Sequence, residues 1–192
     1  TNATLFGLKS QWPIMAVVDA KTNYEISFIV KDEQIKFKAE SGKHRFSAML
    51  DSASQITIID RELAQQLELS ISADSIQLNE ARCPIVLLDT LQIGTAKFVN
   101  IACAVLPLRE VGVTDCSMIL GNDMLCLFPE VELDYEHCRL HLRSQYDILP
   151  NTPRNLMFNK VPYIQAKIDG LPATILWDTG SNKSSIEPHF YN

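Results

Sequence analysis

The sequence predicts a mostly β protein interrupted by short helices. Three features carry that expectation: apolar and polar residues alternate through short stretches bounded by turn residues, only two stretches hold helix start and stop signals, and one hairpin pattern occurs twice. Ile35-Lys-Phe37-Lys, the Ser41-Gly42-Lys43 turn and Phe46-Ser-Ala48-Met-Leu50 read as a hairpin. A strand fits Ala96 to Val105, closed by Pro107. Val131-Glu-Leu133 and Leu140-His-Leu142 alternate around Asp134 to His137 as a further hairpin.

For the helices, Asp60 is placed to cap a segment running through Leu69, with Glu62 in the first turn and Leu63 and Leu67 on one face. Asp123 is placed to start a second helix through Phe128, which Pro129 stops. Asp123 and Asp134 are therefore read as a cap and a turn residue, His137 and His141 as exposed, and Trp177 as part of the core.

Composition narrows the function classes. A chain of 192 residues, 46% hydrophobic, can bury one full core and part of another. Its 17 Lys and Arg against 23 Asp and Glu leave a net charge of −6 without a basic cluster, which speaks against a nucleic-acid partner. No apolar run reaches the roughly 18 residues of a spanning helix, so no membrane partner is expected and the chain reads as soluble. The five cysteines, Cys83, Cys103, Cys116, Cys126 and Cys138, are irregularly spaced and odd in number. They read as buried reduced thiols and lean an otherwise open compartment toward the cytoplasm. The four histidines supply no close ligand pairs, and neither a metal nor a cofactor is expected.

The repeat is the most informative feature. Phe37 through Ser54 aligns with Ile164 through Ser181: in each copy a glycine turn leads into an apolar strand that ends on an aspartate, Asp51 and Asp178. Gly42 precedes Asp51 by nine residues and Gly170 precedes Asp178 by eight, so one insertion reconciles the copies. Polar residues and prolines from Ser144 to Pro153 separate them.

Leu176-Trp-Asp178-Thr179-Gly180-Ser181 resembles the signature of the aspartic peptidases. The first copy continues in the order of the retropepsin-like pattern: Asp51-Ser52-Ala53-Ser54, a strand from Gln55 to Ile59, a helix, Leu91-Gln-Ile93-Gly94, and then Met118-Ile119-Leu120-Gly121. The resemblance covers residues 35–142 and, as a beginning, 160–192. It implies a closed retropepsin-like (acid protease) β-barrel with short helices. The implied organisation is an N-terminal extension with strands at 1–34, a complete domain at 35–146, a linker at 147–159 and the opening of a second domain at 160–192. From Asp51 to Leu142 the first copy runs for 91 residues while 14 follow Asp178, so either the second lobe is truncated or a remainder beyond Asn192 completes it.

The resemblance further implies an aspartic-type endopeptidase acting on peptide or protein substrates, with Asp51 and Asp178 sharing a proton because like charges that close do not both ionise readily. Ser52 and Thr179 take the family's hydroxyl position, which ties one loop to the other. Gly180 allows close backbone approach, Ser54 and Ser181 complete the loops, and Ile119-Leu120-Gly121 supports them from below. Two departures bear on activity: Ala53 stands where the family has glycine, and the flap candidate Ser75–Cys83 lies in a stretch without glycine. They motivate an alternative, a noncatalytic protein keeping the fold for peptide binding or dimerisation. Pairing of the loops within one chain and a homodimer joining two Asp51 loops are both compatible with the pattern.

Overall fold

The computed structural model describes residues 14–18, 21–78, 81–145 and 155–191, so positions 1–13 and 19–20 of the extension, 146 of the first domain and 147–154 of the linker lie outside the described residues. The strands are β1 (Ala16–Val18), β2 (Asn23–Ser27), β3 (Ile29–Lys31), β4 (Gln34–Ser41), β5 (His44–Leu50) and β6 (Ile58–Asp60), followed by helix α1 (Arg61–Gln66). Next come β7 (Ile71–Leu78), β8 (Ala81–Ile93), β9 (Ala96–Leu106), β10 (Met118–Leu120) and helix α2 (Asn122–Leu125). The chain continues with β11 (Glu130–Asp134), β12 (Arg139–Arg143), β13 (Leu156–Asn159), β14 (Val161–Ile168), β15 (Leu171–Leu176) and a 3-10 turn at Pro188–Tyr191. The protein is mostly β, as the alternation predicts.

The large sheet runs β1-β9-β6-β10-β5-β4-β8-β7, with β3 on β4 and an additional β8–β9 pairing. Alternation sets its inner face: Ile35, Phe37 and Ala39 of β4 turn into a core with Leu50, Leu88, Leu91, Phe98, Ile101, Met118 and Leu120. A smaller cluster on the other side of β5 and β10 joins Met49, Ile56, Ile58, Cys83, Ala104, Leu108, Cys116 and Ile119. Sheet β11-β12-β2 closes the first unit by pairing the terminal hairpin with the N-terminal segment.

Both copies of the repeat form hairpins with two-residue turns. Ser41 pairs with His44 across Gly42-Lys43, and Ile168 pairs with Leu171 across Asp169-Gly170. At the second turn both residues have positive φ (51° and 83°), the conformation for which Asp-Gly is suited. The aligned strands β4 and β14 each have eight residues, and no insertion separates the copies: Ser41 to Asp51 and Ile168 to Asp178 span the same distance in sequence, and glycine takes the first turn position in one copy and the second in the other.

Several local expectations are corrected. Helix α1 stops at Gln66, not Leu69, because Glu68 takes a positive φ of 53° that breaks the helical path. Helix α2 ends at Leu125, not Phe128; the amides of Leu127 and Phe128 turn back to the carbonyls of Met124 and Leu125. Its N-cap position is Gly121, so Asp123 is not a cap but a buried residue of the first turn. His141 is only partly exposed, its Nδ1 buried without a hydrogen-bond partner among the described residues. Trp177 is half-buried. Three of the free cysteines are buried, but Cys126 is exposed and Cys138 intermediate.

Candidate active site

The strand β5 delivers Asp51 to the start of a loop, and β10 runs parallel beside it, with Ile119 opposite Met49 and Leu120 opposite Leu50. The Asp51 amide donates to the Leu120 carbonyl (3.0 Å), and both Ile119 and Leu120 are buried. The second hairpin delivers Asp178 in the same manner from β15.

The two loops have matching internal geometry. Ala53 N–H (2.8 Å) and Ser54 N–H (3.0 Å) donate to Asp51 Oδ1, while Gly180 N–H (2.9 Å) and Ser181 N–H (3.1 Å) donate to Asp178 Oδ1. Between them lies a reciprocal clasp. Ser52 N–H donates to Thr179 Oγ1 (2.9 Å) and Thr179 N–H donates to Ser52 Oγ (3.0 Å). Each hydroxyl then donates across the pair to the carbonyl preceding the other aspartate: Ser52 Oγ to Trp177 (2.5 Å) and Thr179 Oγ1 to Leu50 (3.3 Å). Ser52 and Thr179 are buried, so these four bonds are shielded from competing water.

Because the loops face one another, the Asp178 carboxyl lies beside that of Asp51. Burial pushes the Asp51 carboxyl up to about 6, and the neighbouring Asp178 charge adds to the rise against the two backbone amides that oppose it. Gly180 is required here by space: a Cβ on it would stand 2.5 Å from Asp51 Cγ. Gly121 is held to the same condition by the Ile56 backbone, 2.6 Å from the place a Cβ would take.

A support layer lies beneath the first loop, and the sequence reading missed most of it. Asn122 Nδ2 donates to the Ser52 carbonyl, and its amide donates to the Ser54 carbonyl (2.9 Å). Thr57 Oγ1 accepts from Gly121 N–H (3.2 Å) and donates to Asp123 Oδ1 (2.8 Å), which also accepts from Met124 N–H (3.0 Å). Apart from the Met124–Asp123 bond, these contacts join segments some 64 to 70 residues apart, and no local pattern announces such pairs. On the other side, Gln34 Nε2 donates to the Gly180 carbonyl (2.7 Å).

Burial pushes the Asp123 carboxyl up to about 6 as well, against the donors that oppose the rise. Between the ordinary carboxylate value near 3.8 and about 6, the folded chain holds a proton that the unfolded chain releases. Stability from this group is therefore complete below about pH 4 and is lost as pH rises through about 6, by up to about 3 kcal/mol. Asn at position 123 offers the same acceptor oxygen without the charge. Urea midpoints of Asp123→Asn should fall less than wild type between pH 4.5 and pH 7.5; an identical fall would contradict the buried carboxyl.

Residues 35–124, which include Asp51 and the Ile119-Leu120-Gly121 strand, match the family model described as aspartyl protease. That stretch is similar to an aspartyl protease domain. Solved structures similar to the chain include a retropepsin-like aspartic protease from Rickettsia conorii, 20% identical with a TM-score of 0.48, over 70% of this chain and 96% of that one. Another is the retroviral protease-like domain of Ddi1 from Leishmania major, 13% identical with a TM-score of 0.41, over 61% of this chain and 87% of that one. No curated protein matches the chain. Asp178 lies outside the matched stretch, so its place beside that stretch rests on the repeat and on the contacts above. Among the described residues no helix is long and apolar enough to cross a membrane, and no three His, Cys, Asp or Glu side chains are grouped to hold a metal.

Proposed function

We propose that the chain is an aspartic-type endopeptidase in which Asp51 and Asp178 form the catalytic dyad. The observation that carries the reading is the reciprocal Ser52–Thr179 clasp, which sets two like-built carboxylate loops face to face. Burial and the neighbouring charge favour the proton on Asp51. Asp51 then donates to the oxygen of the substrate carbonyl while Asp178 takes a proton from the attacking water, giving a tetrahedral diol without a covalent intermediate.

The clasp joins two loops of one chain, which supports intramolecular pairing over a homodimer of Asp51 loops. In this reading 35–146, with β2 and β3 of the preceding segment packed into it, forms the first domain and 160–192 opens a second. Closure of the first into a barrel is supported by the pairings β9-β6-β10-β5-β4-β8, with β8 returning to β9. The hairpin β7–β8, where Leu78 pairs with Ala81, contains the flap candidate Ser75–Cys83, of which positions 79–80 lie outside the described residues. Ile175 and Leu176 are exposed, whereas Ala48 and Met49, their aligned counterparts, are buried beside β10.

The test is hydrolysis of a mixed peptide library by the longest natural form of the protein from about pH 3 to pH 7. A bell-shaped profile with an acidic or mildly acidic optimum, blocked by a pepstatin-type inhibitor, is expected. No cleavage at any pH, in wild type or in Ala53→Gly, would favour the noncatalytic reading.

A further inference from the structure

We infer that Gln34 is a positioning residue for the second catalytic loop, pinning the Gly180 carbonyl so that the loop keeps its two amides on Asp178. For its catalytic consequence the inference rests on the endopeptidase reading; for the contact it rests on geometry alone.

Gln34 opens β4 beside the turn of the β3–β4 hairpin, where Lys31 and Gln34 are the last pair before Asp32 and Glu33. Both turn residues have positive φ, 52° and 63°, the backbone of a tight two-residue hairpin. The side chain leaves that tip and spans 146 residues of sequence to reach the Gly180 carbonyl at 2.7 Å. The tip is itself anchored: Lys31 (3.1 Å) and the buried Lys36 both pair with Asp115, three residues before β10. Together they hold Asp115 below the usual carboxylate range. One rigid path thus runs from β10, which bonds Asp51, through Asp115 and the hairpin to the loop of Asp178.

The contact is one-sided, and the two loops differ in a way that accounts for this. Gln34 aligns with Val161, which has no side-chain donor to offer Ala53. The Asp51 loop has a Cβ at Ala53 and the Asn122 amide group beneath it. The Asp178 loop must have glycine at 180, because Asp51 leaves no room for a Cβ, and glycine brings the widest backbone freedom. Gln34 restrains the loop that its own sequence leaves loosest.

Two near-isosteric variants separate the hydrogen bond from bulk: Gln34→Met has no donor, and Gln34→Glu has none while ionised. Amide exchange followed by NMR at pH 7 should accelerate at Gly180 and Ser181 by about fivefold to tenfold in both variants, the loss of one hydrogen bond. Exchange along β4 and β5 should stay unchanged. In the cleavage assay kcat should fall by a similar factor with KM within about twofold, since the substrate carbonyl is still bound and the dyad is misplaced. Unchanged exchange at Gly180 and Ser181 in either variant would overturn the inference, as would acceleration spread evenly over both hairpins. A wild type that cleaves nothing would defeat the endopeptidase reading while leaving the exchange result to decide the role of Gln34.

Discussion

Asp51→Asn and Asp178→Asn are each expected to lower peptide cleavage by on the order of 10³-fold or more while the protein stays folded. The change is isosteric in both cases, and Asn Oδ1 still accepts the amides of Ala53 and Ser54, or of Gly180 and Ser181, so the loop geometry survives. What is lost is the pair: with one carboxyl left, no partner takes the proton from water while the other gives one to the carbonyl. Because the groups act as a unit, the double variant should be little worse than either single one. Cleavage that survives both substitutions would remove the dyad from the mechanism.

Gly180→Ala is expected to cost about 1–3 kcal/mol of stability and on the order of 10²-fold in kcat/KM. The new methyl would lie 2.5 Å from Asp51 Cγ and 2.8 Å from each carboxylate oxygen, distances that bonded neighbours alone approach. Either the carboxyl of Asp51 turns out of line or the Asp178 loop retreats, and retreat strains the Ser52–Thr179 clasp and the Gln34 bond together. The comparison substitution is Ala53→Gly, which removes a Cβ from the other loop and should preserve or raise activity. Kinetics and urea unfolding on the two variants make the check, and a Gly180→Ala protein with wild-type kcat/KM would contradict the close approach of the two loops.

The contrast between these glycine positions shows where the sequence is legible. Asp51 and Asp178 could be found because each ends an apolar strand after a glycine turn and the arrangement occurs twice. The strand Ile119-Leu120 and the hydroxyls Ser52 and Thr179 are expected only from the resemblance to the aspartic peptidases. Gln34 could not be found that way: a lone glutamine beside a hairpin turn has no periodicity to distinguish it, and its partner is a backbone carbonyl 146 residues on. Asp123 was misread for a physical reason. An acidic residue at a helix start is ordinarily a solvent-facing cap, but here Gly121 must be small to pass the Ile56 backbone and takes the cap position. That turns Asp123 inward to Thr57. Helix ends were over-extended at Leu69 and Phe128 because apolar spacing persists past the point where the backbone changes hand at Glu68 or tightens after Leu125.

The central claim is that Asp51 and Asp178 share one buried site and one proton. Carboxyl carbon NMR with labelled aspartate, read for Asp51 in wild type and in Asp178→Asn, tests it most directly. The expected wild-type midpoint is about 6, with burial as the largest cause and the Asp178 charge as the next. Removing that charge should lower the midpoint while burial keeps it above the ordinary aspartate value. An Asp51 midpoint near 3.8 in wild type, or one unmoved by Asp178→Asn, would contradict the account.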